Sequence, residues 1–244
     1  MKTAIIQARM GSTRLPGKVL MNIGKKPVLH WVIERVKRAK LIDRVIVATS
    51  KKEKDDAIEK FCNKLDIGCF RGPEEDVLAR FYQAAKVQKA DIIVRITADA
   101  PFIEPFIIDE IIKIHFKNKN DYTANNTENS YSRGMDVEVF NFESLENANF
   151  NAKKTYQREH ITPFIYEQPF IFKIEIPEAK GILKRPEFRL CIDTKEDLKF
   201  IRKIYKALSE SKKEINIYNI IQLLDSNPEL AGINANVKQK KLGE

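Results

Sequence analysis

The sequence predicts an α/β fold of three layers, with helices on both faces of a mostly parallel sheet. Short apolar, β-branched runs alternate with segments of helical periodicity through the first half of the chain. Strands joined through helices of this length connect by right-handed crossovers and therefore lie parallel. The 244 residues suffice for one domain with a large core, and three cysteines without CxxC spacing indicate buried free thiols in a reducing compartment.

The predicted elements follow one another in the order that such a sheet requires. The first helix begins at Pro27, which suits a first helical turn, and its valines approximate one apolar face. Strands are predicted at 3–8, 44–49, 67–70 and 91–97, and helices at 27–40, 53–64, 74–89 and 105–117.

The pattern changes after residue 120, where Asn-rich turn material over 121–134 leads into a section with β character. The remaining predicted elements are strands at 135–140, 170–176 and 188–193 and helices at 154–162, 194–209 and 215–225. We therefore predict a single domain over residues 1–233, with an inserted section over about 121–187. A polar tail over 234–244 is predicted to be frayed.

The net charge of +9 is concentrated at one end of the chain. Residues 1–40 contain ten basic side chains and one acidic side chain, so the remaining 204 residues are neutral overall. A local anionic ligand explains this distribution better than a nucleic-acid surface does. Four of the basic residues crowd the end of the first helix and are interpreted as solvent-exposed side chains that favour the helix dipole: Arg35, Lys37, Arg38 and Lys40.

Several other classes of protein are disfavoured. No apolar run reaches the roughly 18 residues of a transmembrane helix, and Arg9 and Arg14 interrupt any signal-peptide core. The three histidines are too scattered along the chain to indicate a zinc site. We expect a cytoplasmic protein without a membrane or nucleic-acid partner.

A phosphate-binding loop is predicted directly after the first strand. Residues 7–18 read QARMGSTRLPGK and combine two glycines, two hydroxyl side chains, two arginines and a lysine. Glycines let backbone N–H groups approach a phosphate closely, and Arg and Lys neutralise its charge. The spacing fits neither a Walker A loop nor the dinucleotide fingerprint. A basic surface loop is the alternative interpretation of the same composition.

This loop resembles the signature P-A-R-x-x-S-T-R-L-P-G-K of the sugar-activating cytidylyltransferases, particularly the 3-deoxy-manno-octulosonate (KDO) cytidylyltransferases. The chain as a whole is similar to the related spore-coat polysaccharide biosynthesis protein F type, and the resemblance covers about residues 1–200. Supporting segments stand in order: FRGPEEDVLARF at 70–81, TADAPFIEP at 97–105, GMDVEVF at 134–140, REHITPF at 158–164 and RLCIDTKEDL at 189–198.

The resemblance implies a Rossmann-like nucleotidyltransferase fold of the GT-A-like type, with the inserted section serving dimerisation and acceptor recognition. The implied reaction transfers CMP from CTP to a sugar, sugar acid or sugar-like phosphate, releases pyrophosphate and depends on Mg²⁺. It belongs to surface polysaccharide or glycoconjugate biosynthesis. A homodimer is implied as well, and the apolar segment ITPFIYEQPFIF at 161–172 could supply its interface.

The resemblance also implies roles for the basic residues. Arg14 and Lys18 are expected to bind the triphosphate and stabilise the leaving pyrophosphate, and together with Asp99 they are the predicted catalytic residues. The predicted nucleotide-binding residues are Ala8, Arg9, Met10, Gly11, Ser12, Arg14, Lys18, Arg71, Gly72, Arg80 and Thr97.

Two aspartates that follow apolar runs are the predicted Mg²⁺ ligands. Asp99 follows the strand over 91–97, and Asp193 ends the run FRLCI. Mg²⁺ prefers oxygen ligands and takes one or two carboxylates together with substrate phosphates. Each aspartate has an alternative interpretation as a helix cap or turn residue, and Asp193 precedes a predicted helix. The resemblance implies that both bind the metal.

Acceptor recognition is expected in the inserted section. In the strand over 135–140, Asp136 and Glu138 share one face, which either lines the acceptor pocket or faces solvent. A hydroxyl nucleophile would need a base such as Asp136, whereas an ionised phosphate needs only positioning. His160 is a base, an acceptor ligand or a structural hydrogen-bonding group. The predicted acceptor-binding residues are Arg133, Asp136, Glu138, Arg158 and His160.

Three other functions compete with this prediction. A nucleotidyltransferase could use GTP or UTP on a sugar phosphate, because base selection rests on contacts that the sequence does not reveal. A nucleotide-sugar glycosyltransferase of similar architecture would carry a DxD motif, and Asp99-Ala100-Pro101 lacks its second aspartate. A non-catalytic nucleotide-binding module is the third alternative, and the presence together of Arg14, Lys18, Asp99 and Asp193 argues against it.

Overall fold

The computed structural model describes residues 1–126 and 130–240. Its strands are β1 (Lys2–Gln7), β2 (Asn22–Ile23), β3 (Lys26–Pro27), β4 (Arg44–Ser50), β5 (Gly68–Gly72), β6 (Ile92–Thr97), β7 (Tyr122–Ala124), β8 (Glu138–Asn141) and β9 (Ile174–Glu175). Its α-helices are α1 (Val28–Lys37), α2 (Asp56–Lys64), α3 (Val77–Val87), α4 (Pro105–Asn118), α5 (Phe142–Asn151), α6 (Thr155–His160), α7 (Pro163–Tyr166), α8 (Lys195–Glu210), α9 (Ile217–Asp225) and α10 (Pro228–Ala231).

Seven of these strands form one sheet in the order β5-β4-β1-β6-β8-β7-β9. The strands β5, β4, β1 and β6 are parallel, whereas β8 runs antiparallel to its neighbours β6 and β7. The last three strands of the order come from the section after residue 120 and extend one edge of the parallel sheet. The short strands β2 and β3 form a separate hairpin.

Helices cover both faces of this sheet, which confirms the predicted three-layer α/β fold. The helices α1, α2, α4, α8 and α9 pack on one face, and α3, α5 and α7 pack on the other. In β1, Ala4 and Ile6 join the first cluster and Ile5 joins the second, and all three are fully buried. A strand buried on both faces reads as a continuous apolar run, which explains the sequence TAIIQA.

The prediction of a core strand over 188–193 is wrong. Within the described residues this segment contributes no strand to the sheet, and it is a buried connection with a single β-bridge, between Arg189 and Arg133. Its Leu190 amide donates to the Arg133 carbonyl at 2.7 Å, and its Ile192 amide donates to the Asp99 carbonyl at 2.9 Å. Gly134 has φ 99°, and a Cβ there would lie 2.7 Å from the carbonyl carbon of Leu190, so only glycine admits this approach.

Other differences fall in the inserted section, in the tail and at the hairpin of β2 and β3, which was not predicted. Only two residues of the predicted strand over 170–176 form β9, and α5 and β7 were not predicted. The predicted turn material includes residues 127–129, and the predicted tail includes 241–244; both lie outside the described residues. Asn234 of the tail is buried rather than frayed. Within the ranges described above, no helix is long and apolar enough to cross a membrane.

The interpretation of Arg35 as a solvent-exposed residue is also wrong. Arg35 is 3% exposed and forms an ion pair with the Glu104 carboxylate at 2.6 Å. Its other nitrogens donate to the carbonyls of Ile103 and Ile215, and Glu104 also accepts from the Ile217 amide. This pair therefore ties α1 to the starts of α4 and α9. Position 35 lies seven residues after Val28 and so on the apolar face of α1.

Replacing Arg35 by methionine is expected to lower the free energy of unfolding by about 3–5 kcal/mol, because Glu104 would keep a buried charge without its partner. Denaturant unfolding measures the loss. Arg38→Met removes an exposed charge from the end of the same helix and should change stability by less than about 0.5 kcal/mol. A loss of under about 1 kcal/mol for Arg35→Met would show that the ion pair is not needed for stability.

Candidate active site

The predicted phosphate loop begins at the carboxyl edge of the sheet. Gln7, the last residue of β1, lies in register between Ala48 of β4 and Thr97 of β6. The Ala8 amide donates to the Ala48 carbonyl at 3.1 Å, and the Ala98 amide donates to the Gln7 carbonyl at 3.0 Å. Ligands of open α/β sheets bind beyond the carboxyl ends of the strands, so the loop starts where a nucleotide is expected.

Two hydrogen bonds hold the loop of residues 8–17 in a compact shape. The Gly17 amide donates to the Met10 carbonyl at 2.9 Å, and Gly17 takes φ 73°, which glycine adopts without strain. The Met10 amide donates to the carboxylate of Asp55 at 2.7 Å, and Asp55 is fully buried. Sequence reasoning missed Asp55. It lies in the charged run KKEKDD, where no local pattern distinguishes a buried aspartate that binds the loop from an exposed one.

The middle of the loop presents unused backbone donors. In the part of the chain that the structure describes, the amides of residues 11–14 donate to no protein acceptor. Free amides in a glycine-containing turn form a concave site for anions. Of the predicted nucleotide-binding residues in this loop, Ala8 is buried, and Arg9, Met10, Gly11, Ser12 and Arg14 are half-buried.

Lys18 brings the two predicted metal ligands together. It follows Gly17 at the end of the loop, and its side chain is buried against the late segment of the chain. The ammonium nitrogen lies 2.6 Å from Asp99 Oδ2, 2.8 Å from Asp193 Oδ1 and 2.7 Å from the Ile192 carbonyl oxygen. Burial alone would lower the pKa of Lys18, but the two carboxylates raise it to about 12. Lys18 is therefore charged at neutral pH.

Asp193 is surrounded by cations. Besides Lys18, the Arg14 guanidinium lies 2.9 Å from its Oδ2, and the Arg189 guanidinium pairs with the same oxygen. Burial opposes ionisation, yet these three positive charges hold the pKa of Asp193 below its ordinary value. Sequence reasoning missed Arg189, although it lies in the quoted segment RLCIDTKEDL.

Asp193 does not cap the following helix. Thr194 is the N-cap residue of α8, and its hydroxyl accepts a hydrogen bond from the Asp197 amide. The Asp197 carboxylate in turn accepts from the Asp193 and Thr194 amides and from Arg189 Nε at 3.1 Å. The buried Asp197 therefore fixes the backbone on which Asp193 points towards Lys18.

The residues present fit a Mg²⁺ ion. Oxygen atoms of Asp99 and Asp193 both lie within 2.8 Å of the Lys18 nitrogen, so these two carboxylates are close enough together to contact one cation. Among the described residues, no group of three or more His, Cys, Asp and Glu side chains could hold a metal ion. Mg²⁺ is commonly bound by one or two protein carboxylates, and substrate phosphates and water complete its coordination.

Arg71 and Arg80 occupy different surroundings. Arg71 pairs with Asp56 at 2.6 Å and Glu59 at 3.0 Å, both on α2, and makes no contact with the cluster at Lys18. Arg80 is fully buried and donates from Nη1 to the Pro73 carbonyl at 2.8 Å. Its Nε and Nη2 atoms have no partner among the described residues. Burial, together with the charge of Arg9, lowers the pKa of Arg80 to about 10.

Glu138 lies in a buried polar network. Its carboxylate accepts from the Tyr122 hydroxyl at 2.6 Å and the Thr162 hydroxyl at 2.7 Å and pairs with Arg95. Arg95 also donates to the side-chain oxygen of Gln7 at 3.0 Å. The polar face predicted for Glu138 therefore does not meet solvent. Sequence reasoning missed Arg95, although a lone basic residue inside the apolar strand DIIVRIT was a usable signal.

The other predicted acceptor residues have separate contacts. Asp136 accepts from the Gly134 amide at 2.9 Å, and burial raises the pKa of its carboxyl group. Arg158 forms a two-point ion pair with Asp76, the N-cap residue of α3. Burial lowers the pKa of His160 at the end of α6. The backbone of Arg133 pairs with the 188–190 segment at 2.7 and 3.0 Å.

Transfer of a nucleotidyl group from a triphosphate requires cations and phosphate-binding amides beside carboxylates that can hold a metal. On the carboxyl edge of a mostly parallel sheet, these features define the class of nucleotidyltransferases. The model of one family in this class, described as cytidylyltransferase, matches residues 3–222, and the chain belongs to this family.

Known proteins agree with this assignment. The chain is 37% identical to the spore coat polysaccharide biosynthesis protein SpsF of Bacillus subtilis, over 93% of this chain and 95% of that protein. A solved structure of a cytidylyltransferase from Leptospira borgpetersenii matches with a TM-score of 0.87 and 32% identity, over 98% of this chain and 99% of that one. The 3-deoxy-manno-octulosonate cytidylyltransferase of Geobacter sulfurreducens is 40% identical over 110 residues, 45% of this chain and 43% of that protein. The resemblance is confirmed.

Proposed function

We propose that this chain is a Mg²⁺-dependent enzyme that transfers CMP from CTP to a sugar, sugar acid or sugar-like phosphate and releases pyrophosphate. The observation that carries this proposal is the convergence of Lys18 with Asp99 and Asp193 beside a loop of free amides. A role in surface polysaccharide or glycoconjugate biosynthesis is supported by the name of the Bacillus subtilis relative.

In the proposed reaction, different residues of the chain bind the phosphates, stabilise the developing charge and hold the metal. The amides of residues 11–14 donate to phosphate oxygens, and Arg14 offers a planar fork to the same group. Lys18 places a positive charge where negative charge develops on the phosphates during transfer. Mg²⁺ held by Asp99 and Asp193 would supply Lewis-acid stabilisation of the phosphate oxygens.

A substitution of Asp136 can distinguish a sugar hydroxyl acceptor from a phosphate acceptor. Its raised pKa brings the carboxyl group closer to neutral pH, which suits a base that removes a proton from a sugar hydroxyl. A phosphate acceptor is already ionised and needs no base. Asp136→Asn should therefore lower kcat strongly if a hydroxyl attacks and change it little if a phosphate attacks.

Pyrophosphate release is the direct test of this function. The protein and Mg²⁺ are incubated separately with CTP, GTP, UTP and ATP, each with a panel of sugar acids and sugar phosphates. We expect release with CTP and at least one acceptor. Faster release with GTP or UTP would overturn the choice of base, and no release with any nucleotide, or stronger thermal stabilisation by a UDP-sugar than by CTP, would contradict nucleotidyl transfer from CTP.

Gly72 provides a test of Arg80 as a nucleotide contact. A Cβ at Gly72 would lie 2.7 Å from Arg80 Cγ and 2.9 Å from Arg80 Cβ, so alanine must displace this buried side chain. Gly72→Ala is expected to lower the free energy of unfolding by about 1–3 kcal/mol and to raise KM for CTP. Gly232→Ala is the control, because a Cβ there meets no atom within 4 Å. An unchanged KM in the Gly72 variant would remove Arg80 from the nucleotide site.

We also propose that the inserted section forms a homodimer. The turn after α7 exposes Phe170 completely and most of Ile171. Burying such side chains against a second copy is favourable by about 1.5–3 kcal/mol each. Sedimentation should show a dimer that Phe170→Glu dissociates and that Phe116→Glu, an exposed residue of α4, leaves intact. A monomeric wild-type protein would contradict the proposal.

A further inference from the structure

The segment of residues 234–240, here called the C-terminal segment, lies against the predicted active site. Its first residue, Asn234, is 3% exposed. The Asn234 side-chain amide donates to the Arg189 carbonyl at 3.0 Å and to the buried Asp197 carboxylate at 2.8 Å. The segment is therefore anchored to the same residues that fix the backbone of Asp193.

From this anchor the chain reaches two guanidinium groups. Arg189 Nη1 donates to the side-chain oxygen of Gln239 at 2.8 Å, and Arg14 Nη1 donates to the Lys238 carbonyl at 3.2 Å. The Nη2 atoms of both arginines pair with the Asp193 carboxylate. Each guanidinium is thus held between Asp193 and the C-terminal segment.

The acceptors on the segment are neutral, so they orient the arginines without cancelling their charge. A guanidinium is planar, and two fixed donors set the direction in which its remaining N–H groups point. Without the segment, the Arg14 side chain would keep only its pair with Asp193 and would regain part of its rotamer freedom. That freedom would have to be lost again whenever a triphosphate binds.

We propose that the C-terminal segment is a positioning element of the active site, which orients Arg14 and Arg189 for the triphosphate. This inference rests on the proposed function. In it, Arg14 is the group that touches the nucleotide, and Gln239 and the Lys238 carbonyl act through the arginines.

Truncation after Val237 tests the proposal, because it removes both acceptors, and the described residues that it removes, 238–240, are exposed. We expect kcat/KM for CTP to fall about tenfold, since hydrogen bonds to charged groups are the stronger ones, while KM for the acceptor stays unchanged. Hydrogen exchange of the bonded loop amides, those of Met10, Gly17 and Lys18, should accelerate, a measurement that needs no substrate. Truncation after Lys240 retains every contact named here and is the matched control.

Single substitutions separate positioning from bulk packing. Gln239→Ala should slow turnover and weaken CTP binding, whereas Gln239→Asn keeps a neutral amide oxygen as an acceptor for Arg189 and should restore both in part. Lys240→Ala alters an exposed neighbour and should behave as the wild type. Unchanged exchange and kinetics after truncation at Val237, or faster turnover, would overturn the positioning role. A full-length protein that releases no pyrophosphate yet shows the faster exchange on truncation would instead overturn the proposed function.

Discussion

Replacing Lys18 by methionine is expected to lower kcat for pyrophosphate release by about 100-fold or more. The Lys18 ammonium contacts Asp99, Asp193 and a backbone carbonyl at 2.6–2.8 Å, and it is the charge that the substitution removes. Methionine fills a similar volume, so packing is largely retained. The affinity for Mg²⁺ should not fall, because both carboxylates remain and lose their competing cation.

The measurement is steady-state pyrophosphate release over a range of CTP concentrations, together with thermal denaturation. Lys25→Met is the matched control, because Lys25 is an exposed member of the same basic N-terminal section. Lys25→Met should leave kcat unchanged. This control distinguishes the effect of the Lys18 charge in the active site from the effect of the overall positive charge of residues 1–40. A kcat for Lys18→Met within a factor of about three of the wild type would remove Lys18 from the catalytic residues.

The parallel part of the sheet could be predicted because its signal is local. A doubly buried strand such as β1 needs a run of apolar residues, and the helices between strands repeat with their own period. The phosphate-binding loop over 7–18 could be predicted equally well, because phosphate binding requires glycines and cations close together in the chain. Both features depend on neighbouring residues alone.

The meeting of Asp99 and Asp193 was predicted on partly mistaken grounds. Asp193 does not end a strand; the hydrogen bond from the Ile192 amide to the Asp99 carbonyl brings the two residues together. No periodicity reveals a backbone contact of this kind between two connecting segments. Such a contact follows only from the assembled fold.

Buried ionic partners were the main omission. Arg35 and Glu104 are 69 positions apart, and Arg95 and Glu138 are 43 positions apart. A charge in an apolar pattern indicates a buried partner but does not say which one. For Arg35 the helical spacing alone contradicted solvent exposure, so that part of the error was avoidable.

Replacing Asp99 by asparagine is expected to lower kcat for pyrophosphate release by about 100-fold or more and to raise the Mg²⁺ concentration needed for half-maximal rate. Asparagine keeps the shape and one oxygen acceptor for Lys18 but loses the charge that attracts a divalent cation. The Asp99 carbonyl still accepts from Ile192, so the fold around the site should persist. Thermal denaturation checks that point, and Mg²⁺ titrations of the reaction measure the effect.

Asp91 offers the control for Asp99, because the two aspartates flank opposite ends of β6. It lies just before β6, at the opposite end of the sheet, and pairs with the N-terminal amine of Met1. Asp91→Asn therefore removes a carboxylate of equal size and charge far from the phosphate loop, and kcat and the Mg²⁺ dependence should match the wild type. Full activity of Asp99→Asn at the wild-type Mg²⁺ optimum would show that this carboxylate neither holds the metal nor takes part in transfer. Of the three residues that meet at the site, only Lys18 and Asp193 would then remain as candidates for metal binding and catalysis.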